Sequence, residues 1–279
     1  MSDSRAQGCI QLSVLGSSSA GNCTLIWNDR GALLVDCGFP PGYILKHLRA
    51  YGLSLADLRG VLITHTHGDH VRGPFVRRLI AARVPMYCPE DIALHLQGIY
   101  QSMTQAAHRG LLRPFRDGVL ELDPFQIRSF PVPHDSPGGC FGYSIFADSG
   151  GGEKKITFAT DLAHADKLLV SHFADSDIVV IESNHDVRML EESGRPIWLK
   201  RRIREHAHLS NEKCAEFVIR VVEKSQRLPG SIMLAHISQE CNTRKLALEC
   251  TGEVLEKRGF AAACLEVSHR YERSEIVKA

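Results

Sequence analysis

The sequence predicts an α/β protein in which two β-sheets pack together with helices outside them. Three observations support this. Short apolar runs of strand type alternate with longer stretches of helical period. The succession falls into two sheet-forming halves, each finished by helices, and no linker separates the halves. The one Gly-rich stretch, DSGGGEKK, is flanked closely by alternating strands and reads as a hairpin loop. All 279 residues are therefore expected to form a single domain.

In order along the chain, CIQLSVLG, NCTLIWN and GALLVDCG read as strands joined by turns rich in Gly, Ser and Asn. PGYILKHLRAYGL is helical, with Ile44, Leu45 and Leu48 on one face. LRGVLITH is a buried strand, FVRRLIAARV a short helix and VPMYC a strand. PEDIALHLQ is a helix with Pro89 suited to its first turn. GVLELDPFQIRSFPVPHD makes two strands, and CFGYSIFAD and KKITFATD follow as further strands. Then come DIVVIES (strand), PIWLKRRIRE and LSNEKCAEFVIRVVEK (helices), SIMLAHIS (strand), NTRKLALECTGEVLEKRG (helix) and AAACLEVS (strand).

Composition limits the possible functions. At 44% hydrophobic residues the chain can bury a sizeable core, which excludes disorder. Its 33 basic and 32 acidic residues leave a net charge of +1, so a grip on nucleic acid must come from a local patch. The 9 cysteines include no C-x-x-C pair. Cys9, Cys23, Cys37 and Cys264 sit in apolar strand-like runs, where a reduced thiol behaves as a small hydrophobe. The opening MSDSRAQGCIQLSVLG has no basic stretch followed by an apolar core, and no run reaches transmembrane length. A reduced, soluble, cytoplasmic protein with no membrane partner is expected.

THTHGDH places His65, His67, Asp69 and His70 together. A helical metal site would want histidines four apart. His65 and His67 are two apart, so in an extended segment they point to the same side, and Gly68 permits a turn before Asp69 and His70. Such a strand-end loop offers ligands to one ion and to a neighbour. Two ions roughly 3.5–4 Å apart are the usual clamp on an attacked centre. One loop cannot complete two coordination spheres, and His134, Asp161 and His236 each close a strand-like run. Taken singly, each reads first as an ordinary loop residue. Asp36, closing ALLVD, suits a carboxylate that orients a ligating imidazole from behind. Imidazole and carboxylate without thiolate suit zinc, manganese or iron.

The order LLVD, THTHGDH, VPHD, FATD, LAHIS resembles the metallo-β-lactamase superfamily of two-metal hydrolases, over nearly the whole chain. The resemblance implies a four-layer αββα sandwich with the site at one edge of the two sheets. It also implies two divalent ions, zinc or manganese. His65, His67 and His134 would hold the first, Asp69, His70 and His236 the second, and Asp161 would bridge them. LGSSSAGNC, VIESNHD, LKRRI, HLSNE and LAHISQECN together resemble the YycJ-like (VicX-like) branch, regarded as metal-dependent phosphodiesterases or nucleases. HLSNEKCAEF followed by IMLAHIS is similar to ribonuclease Z, where the matching His donates a proton as the phosphodiester breaks. The chain has no room for the inserted domain of ribonuclease J and no long Gly/Pro-rich arm for gripping tRNA.

Several substrate contacts are expected beside the metals. In GSSSAGN, Ser18 and Asn22 belong to a loop that either turns N–H groups towards a phosphate or makes an ordinary tight turn. LKRRIREH concentrates Lys200, Arg201, Arg202 and Arg204 as either a phosphate track or a solvated helix face. Arg72, Arg77, Arg78 and Arg83 would extend such a track. His185 faces substrate or supports the site by resemblance, and is otherwise a loop histidine. Asp69 and His208 are the catalytic candidates, and Ser210 is a natural N-cap for the helix after His208.

The expected activity is hydrolysis of phosphodiesters, with a DNA or RNA nuclease foremost (exonuclease and endonuclease action both left open), by attack of a metal-bridging hydroxide. The rival readings are a thioesterase or lactone hydrolase on the same scaffold, and a metal-binding regulatory protein without activity.

Overall fold

The structure is a computed structural model that describes residues 8–260 and 265–279. The first sheet takes β1 (Gln11–Ser18), β2 (Gly21–Trp27), β3 (Ala32–Val35), β4 (Leu58–Leu62), β5 (Met86–Pro89) and β6 (Leu112–Phe115). The second takes β7 (Val119–Leu122), β8 (Phe125–Val132), β9 (Cys140–Asp148), β10 (Glu153–Ala159), β11 (Ile178–Glu182), β12 (Ser231–Ala235) and β13 (Leu265–Val267). A last short strand, β14 (Val277–Lys278), returns to pair antiparallel with β1. Among the described residues each sheet is seven-stranded, ordered β14-β1-β2-β3-β4-β5-β6 and β13-β12-β11-β10-β9-β8-β7.

Helices cover the two outer faces. On the first sheet lie α1 (Pro41–Ala50), α2 (Gly73–Ala81), α3 (Glu90–Ile99) and α4 (Gln101–His108). On the second lie α5 (Lys167–Phe173), then, past α6 (Val187–Glu192) and α7 (Ile197–Arg202), α8 (Asn211–Lys224) and α9 (Arg244–Lys257). Strand residues feed three apolar layers in strict alternation. Ala32 and Leu34 join Ile44, Phe75, Leu79 and Ile92 under the first helical layer. Leu33 and Val35 face Ile145, Ile156, Val180 and Met233 between the sheets. Val179 and Ile181 join Phe173, Phe217 and Val221 under the second. Because both faces of these strands are buried, they read as continuous apolar runs in the sequence. The result is the expected αββα sandwich.

Several expectations shift locally. Cys9 lies outside β1, and of the last predicted strand only Leu265–Val267 is seen, because its beginning, with Cys264, lies outside the described residues. Pro89 ends β5 and caps α3 from outside instead of entering its first turn. The basic helix α7 runs on into a π-helical turn, Ile203–Ala207. Ser210 caps α8 as predicted, its Oγ accepting from the Lys213 amide at 3.3 Å. No helix among the described residues is long and apolar enough to cross a membrane.

Candidate metal centre and active-site cavity

Six strand ends on one edge of the sandwich deliver the site: β3 runs into Asp36, β4 into the His65–His70 loop, β8 into His134, β10 into Asp161 and β12 into His236, while β11 ends on Glu182. Asp36, Asp161 and His236 turn off their strands with positive φ, 61°, 61° and 56°. For non-glycine residues this costs ~1–3 kcal/mol each and persists only where the surroundings hold it. Here they do: the Asp36 amide donates to Leu62 O at 2.8 Å, and the His236 amide donates to Ser17 Oγ at 2.9 Å.

The loop after β4 folds back on itself, the His70 amide donating to His67 O at 3.0 Å. Gly68 lies in this turn with an ordinary φ, and an added Cβ there would meet its nearest neighbour at 3.8 Å, so the turn does not require glycine. The need falls on Gly38, where a Cβ would stand 1.7 Å from Asp69 O. That bare backbone lets the ligand loop lie against the end of β3, where the Cys37 amide donates to His70 O at 2.8 Å. Asp36, fully buried, accepts from His70 Nδ1 at 2.7 Å, from the Thr64 amide at 2.9 Å and from Thr64 Oγ1 at 2.8 Å. It orients an imidazole from behind, as expected.

The predicted ligands converge. His65, His67 and His134 bring ring nitrogens within 4.8 Å of one another; the Asp69 carboxylate gathers as closely with ring nitrogens of His70 and His236, and Asp161 joins His65 and His70 in a cluster of the same tightness. Burial lowers the pKa of His65, His67 and His134, which favours the neutral imidazole with one ring nitrogen free to take a metal. His134 Nδ1 donates to Ala207 O at 2.9 Å, which turns Nε2 inward to within 3.3 Å of His67 Nδ1. Burial opposes a charge on His236, but Asp161, Asp69 and Glu182 outweigh it and push its pKa up to about 10. Asp69 is held well below the usual carboxylate range by His70 and His236 in spite of its burial.

This arrangement suits a divalent metal. His65 Nε2 and His236 Nε2 are buried and make no hydrogen bond. Unpaired buried nitrogens are costly unless each has something electropositive beside it. A cage of imidazoles and carboxylates without thiolate, beside a cavity, suits zinc or manganese.

The site contains one carboxylate that the sequence reading passed over. Glu182, fully buried, accepts from His236 Nδ1 at 2.6 Å and from His208 Nδ1 at 2.8 Å. It also accepts from the Leu162 and Leu209 amides at 3.1 and 3.0 Å. Burial would raise its pKa, but His208 and His236 bring it down to about 2, so it remains an anion between two imidazoles. The available signal was its position: VIES closes a strand just as LLVD and FATD do.

A cavity of about 410 Å³ opens on the cluster, lined by His67, Asp69, His134, Asp161, His208 and His236 among others. Of the predicted basic run, Arg202 reaches the lining, paired through Nε to Asp135 Oδ2 at 2.6 Å. Lys200, Arg201 and Arg204 do not reach it: Lys200 donates to Glu191 O, Arg201 pairs with Glu205, and Arg204 with Glu191. Successive helical residues point about 100° apart, so a run of neighbours cannot form one track. Arg72, Arg77, Arg78 and Arg83 are exposed and lie outside the lining. Arg195 does line the cavity, although the sequence reading did not single it out.

Ser18 and Asn22 are buried structural residues of their turn. Ser18 Oγ accepts from the Ala20 amide at 3.3 Å, and Asn22 Nδ2 donates to Asp69 Oδ2 at 3.2 Å. The turn presents Ser19 to the cavity instead. His185 is 1% exposed and absent from the lining, so it cannot meet a substrate directly. Behind the site, Asn211 and Asn242 exchange side-chain hydrogen bonds at 3.0 and 2.8 Å, and Ser183 Oγ donates to Asn211 at 2.7 Å. These contacts tie the ESN, LSNE and ECN segments together.

A family model for the beta-lactamase superfamily domain matches residues 32–237. The chain belongs to that superfamily. It is 30% identical over 258 residues to the exodeoxyribonuclease YycJ of Bacillus anthracis, spanning 90% of this chain and 91% of that one. It is 31% identical over 243 residues to the exodeoxyribonuclease WalJ of Streptococcus pneumoniae, spanning 84% of each. In structure it is similar to the metallo-β-lactamase fold protein YhfI of Bacillus subtilis, with a TM-score of 0.68 at 14% identity, covering 97% of this chain and 100% of that one. This last likeness concerns the fold, and it agrees with the αββα layering.

Proposed function

We propose that the chain, acting as one domain over 1–279, is a metal-dependent phosphodiesterase that cleaves nucleic acid, with DNA as the foremost substrate. One observation carries this reading. Two clusters of metal-ligating side chains share a cavity with His208, whose Nδ1 is tied to Glu182, and with the cations Arg195 and Arg202. The similarity to two exodeoxyribonucleases over most of the chain supports the same substrate class.

His65, His67 and His134 would hold one ion, Asp69, His70 and His236 a second, with Asp161 between them. Bound there, zinc or manganese supplies an acidified water and neutralises phosphoryl oxygens. The chain's own groups do the rest. Asp69 stays ionised, is steadied by Asn22, and accepts a hydrogen bond from the attacking water. Arg202 and Arg195 suit flanking phosphate oxygens, with Arg202 exchanging Asp135 for the substrate. His208, with Nδ1 held by Glu182, has Nε2 left to protonate the departing oxygen.

The neutral carbonyl of a thioester would make no use of the two arginines at the cavity, which rest on Asp135 and Glu240 until a phosphate displaces them. A regulatory protein without activity would not need the ligand set to be complete. The buried reduced thiols suit a cytoplasmic setting: every cysteine among the described residues is free. The deciding experiment is digestion of end-labelled single- and double-stranded DNA and RNA by protein loaded with Mn²⁺ or Zn²⁺. Cleavage of DNA confirms the reading, whereas thioesters hydrolysed in preference to every nucleic acid would overturn it.

A further inference from the structure

Ile197 and Trp198, at the start of α7, are 85% and 66% exposed. An indole left in water usually has a partner to meet, because its flat apolar face is suited to contact. The surroundings of this one are specific. Arg195, Leu199, Arg202 and Ile203 all line the active-site cavity, so Trp198 stands at its rim, bracketed by lining residues. Trp198 precedes Arg202 by four residues, the helical spacing that puts two side chains on one face. A flat ring and a guanidinium side by side match the repeat of single-stranded nucleic acid, in which each unpaired base is followed by a phosphate. A duplex offers no such match, since its bases are already stacked on one another. A second copy of this chain is disfavoured as occupant, because Lys200 and Arg201 would meet their own kind.

We propose that Trp198 is the platform on which an unpaired base stacks when the adjoining phosphodiester enters the cavity. This rests on the nuclease reading above and deepens it: the strand handled is single at the point of cleavage, or is frayed there. Arg202 then holds the phosphate next to the stacked base, and the leaving strand passes over α7.

The test uses the full-length, metal-loaded protein and an oligothymidylate with phosphorothioate linkages that resist cleavage. The sequence has 2 tryptophans, and the other, Trp27, is 7% exposed and stacked on Tyr51. Quenching of tryptophan fluorescence by the oligonucleotide therefore reports on Trp198. Affinity, read from the anisotropy of a labelled strand, should fall roughly five- to a hundredfold in Trp198→Ala and within about threefold in Trp198→Phe, which keeps an aromatic face. Binding of a blunt duplex of equal length should fall less. An unquenched wild type, a Trp198→Ala protein that binds the single strand normally, or equal losses in both variants would overturn the proposal. Hydrolysis of the nitrophenyl ester of thymidylate by the wild type tests the chemistry separately. If that ester is cleaved while stacking fails, only Trp198 loses its role; if no phosphodiester is cleaved, both readings fall.

Discussion

The Glu182 carboxylate accepts from His208 Nδ1 at 2.8 Å, and the same oxygen accepts from His236 Nδ1 at 2.6 Å. One buried anion thus fixes the ring orientation of a metal-ligand candidate and of the proton donor candidate together. Glu182→Gln keeps the shape but cannot accept from both rings as an anion. Groups that orient ligating histidines typically matter by about 10–100-fold in metal affinity or activity. The substitution should therefore lower kcat/KM by that order and loosen metal on the His236 side. Steady-state kinetics beside elemental mass spectrometry checks it. Glu182→Ala should also lower Tm, because it strands the Leu162 and Leu209 amides at about 1–3 kcal/mol each. Wild-type activity in Glu182→Gln would remove the residue from the mechanism.

Asp161 lies in one cluster with His65 and His70 and, in the proposed centre, would touch both ions. Purified protein should carry up to two divalent ions per chain, and loss of this carboxylate should lower occupancy of both. The backbone at Asp161 has φ 61°, a conformation asparagine tolerates better than alanine does. Asp161→Asn is thus the cleaner variant, since it removes the charge without adding backbone strain. Elemental analysis of both proteins after loading and desalting is the measurement. A wild-type protein that takes up no transition metal under any loading condition would refute the centre altogether.

Arg202 is the member of the basic run that lines the cavity, while Arg201 is spent on Glu205. Arg202→Ala should weaken binding of single-stranded DNA and reduce the slope of log K against log salt by about 0.7, the value for one phosphate contact on a single strand. Arg201→Gln should leave that slope nearly unchanged. Titrations at several salt concentrations distinguish the two. Equal effects from both residues would restore the continuous phosphate track that the geometry disfavours.

Much of this was legible beforehand, for identifiable reasons. Strands buried on both faces leave long apolar runs, so their ends are visible, and the candidate ligands sit at those ends. The crowding of His65, His67, Asp69 and His70 has few explanations other than metal. Harder to see was anything created by chain segments meeting. Glu182 resembles any strand-end acid until residues 208 and 236 are folded against it. Arg202 looks like Arg201 until the pitch of α7 separates them. The reading also missed α4, whose QSMTQAAH buries little apolar surface beyond Met103 and Ala106, and β6, whose LRPF carries an internal proline. The basic stretch was read as one helix, yet its π-helical turn carries the Ala207 carbonyl that orients His134, a tertiary role with no local signature.

His208 offers the sharpest test of the chemistry. It is 19% exposed at the side chain, lines the cavity, and has Nδ1 engaged by Glu182, so Nε2 is the nitrogen that can exchange a proton with a substrate. It also lies close enough to Asp161, Glu182 and His236 to count as a metal ligand. The two roles predict different outcomes. As a proton donor, a positioned imidazole is worth roughly 10²–10⁴-fold in rate. Its value depends on the leaving group: the alkoxide of a natural phosphodiester leaves poorly without a proton, whereas a nitrophenolate hardly needs one. His208→Ala should therefore keep its metals and its Tm, lose most of its turnover on DNA, and lose far less on a nitrophenyl phosphodiester. Equal losses on the two substrates would reject the acid role. Loss of metal from the variant would make His208 a ligand instead, and the proton for the leaving oxygen would then have to come from water.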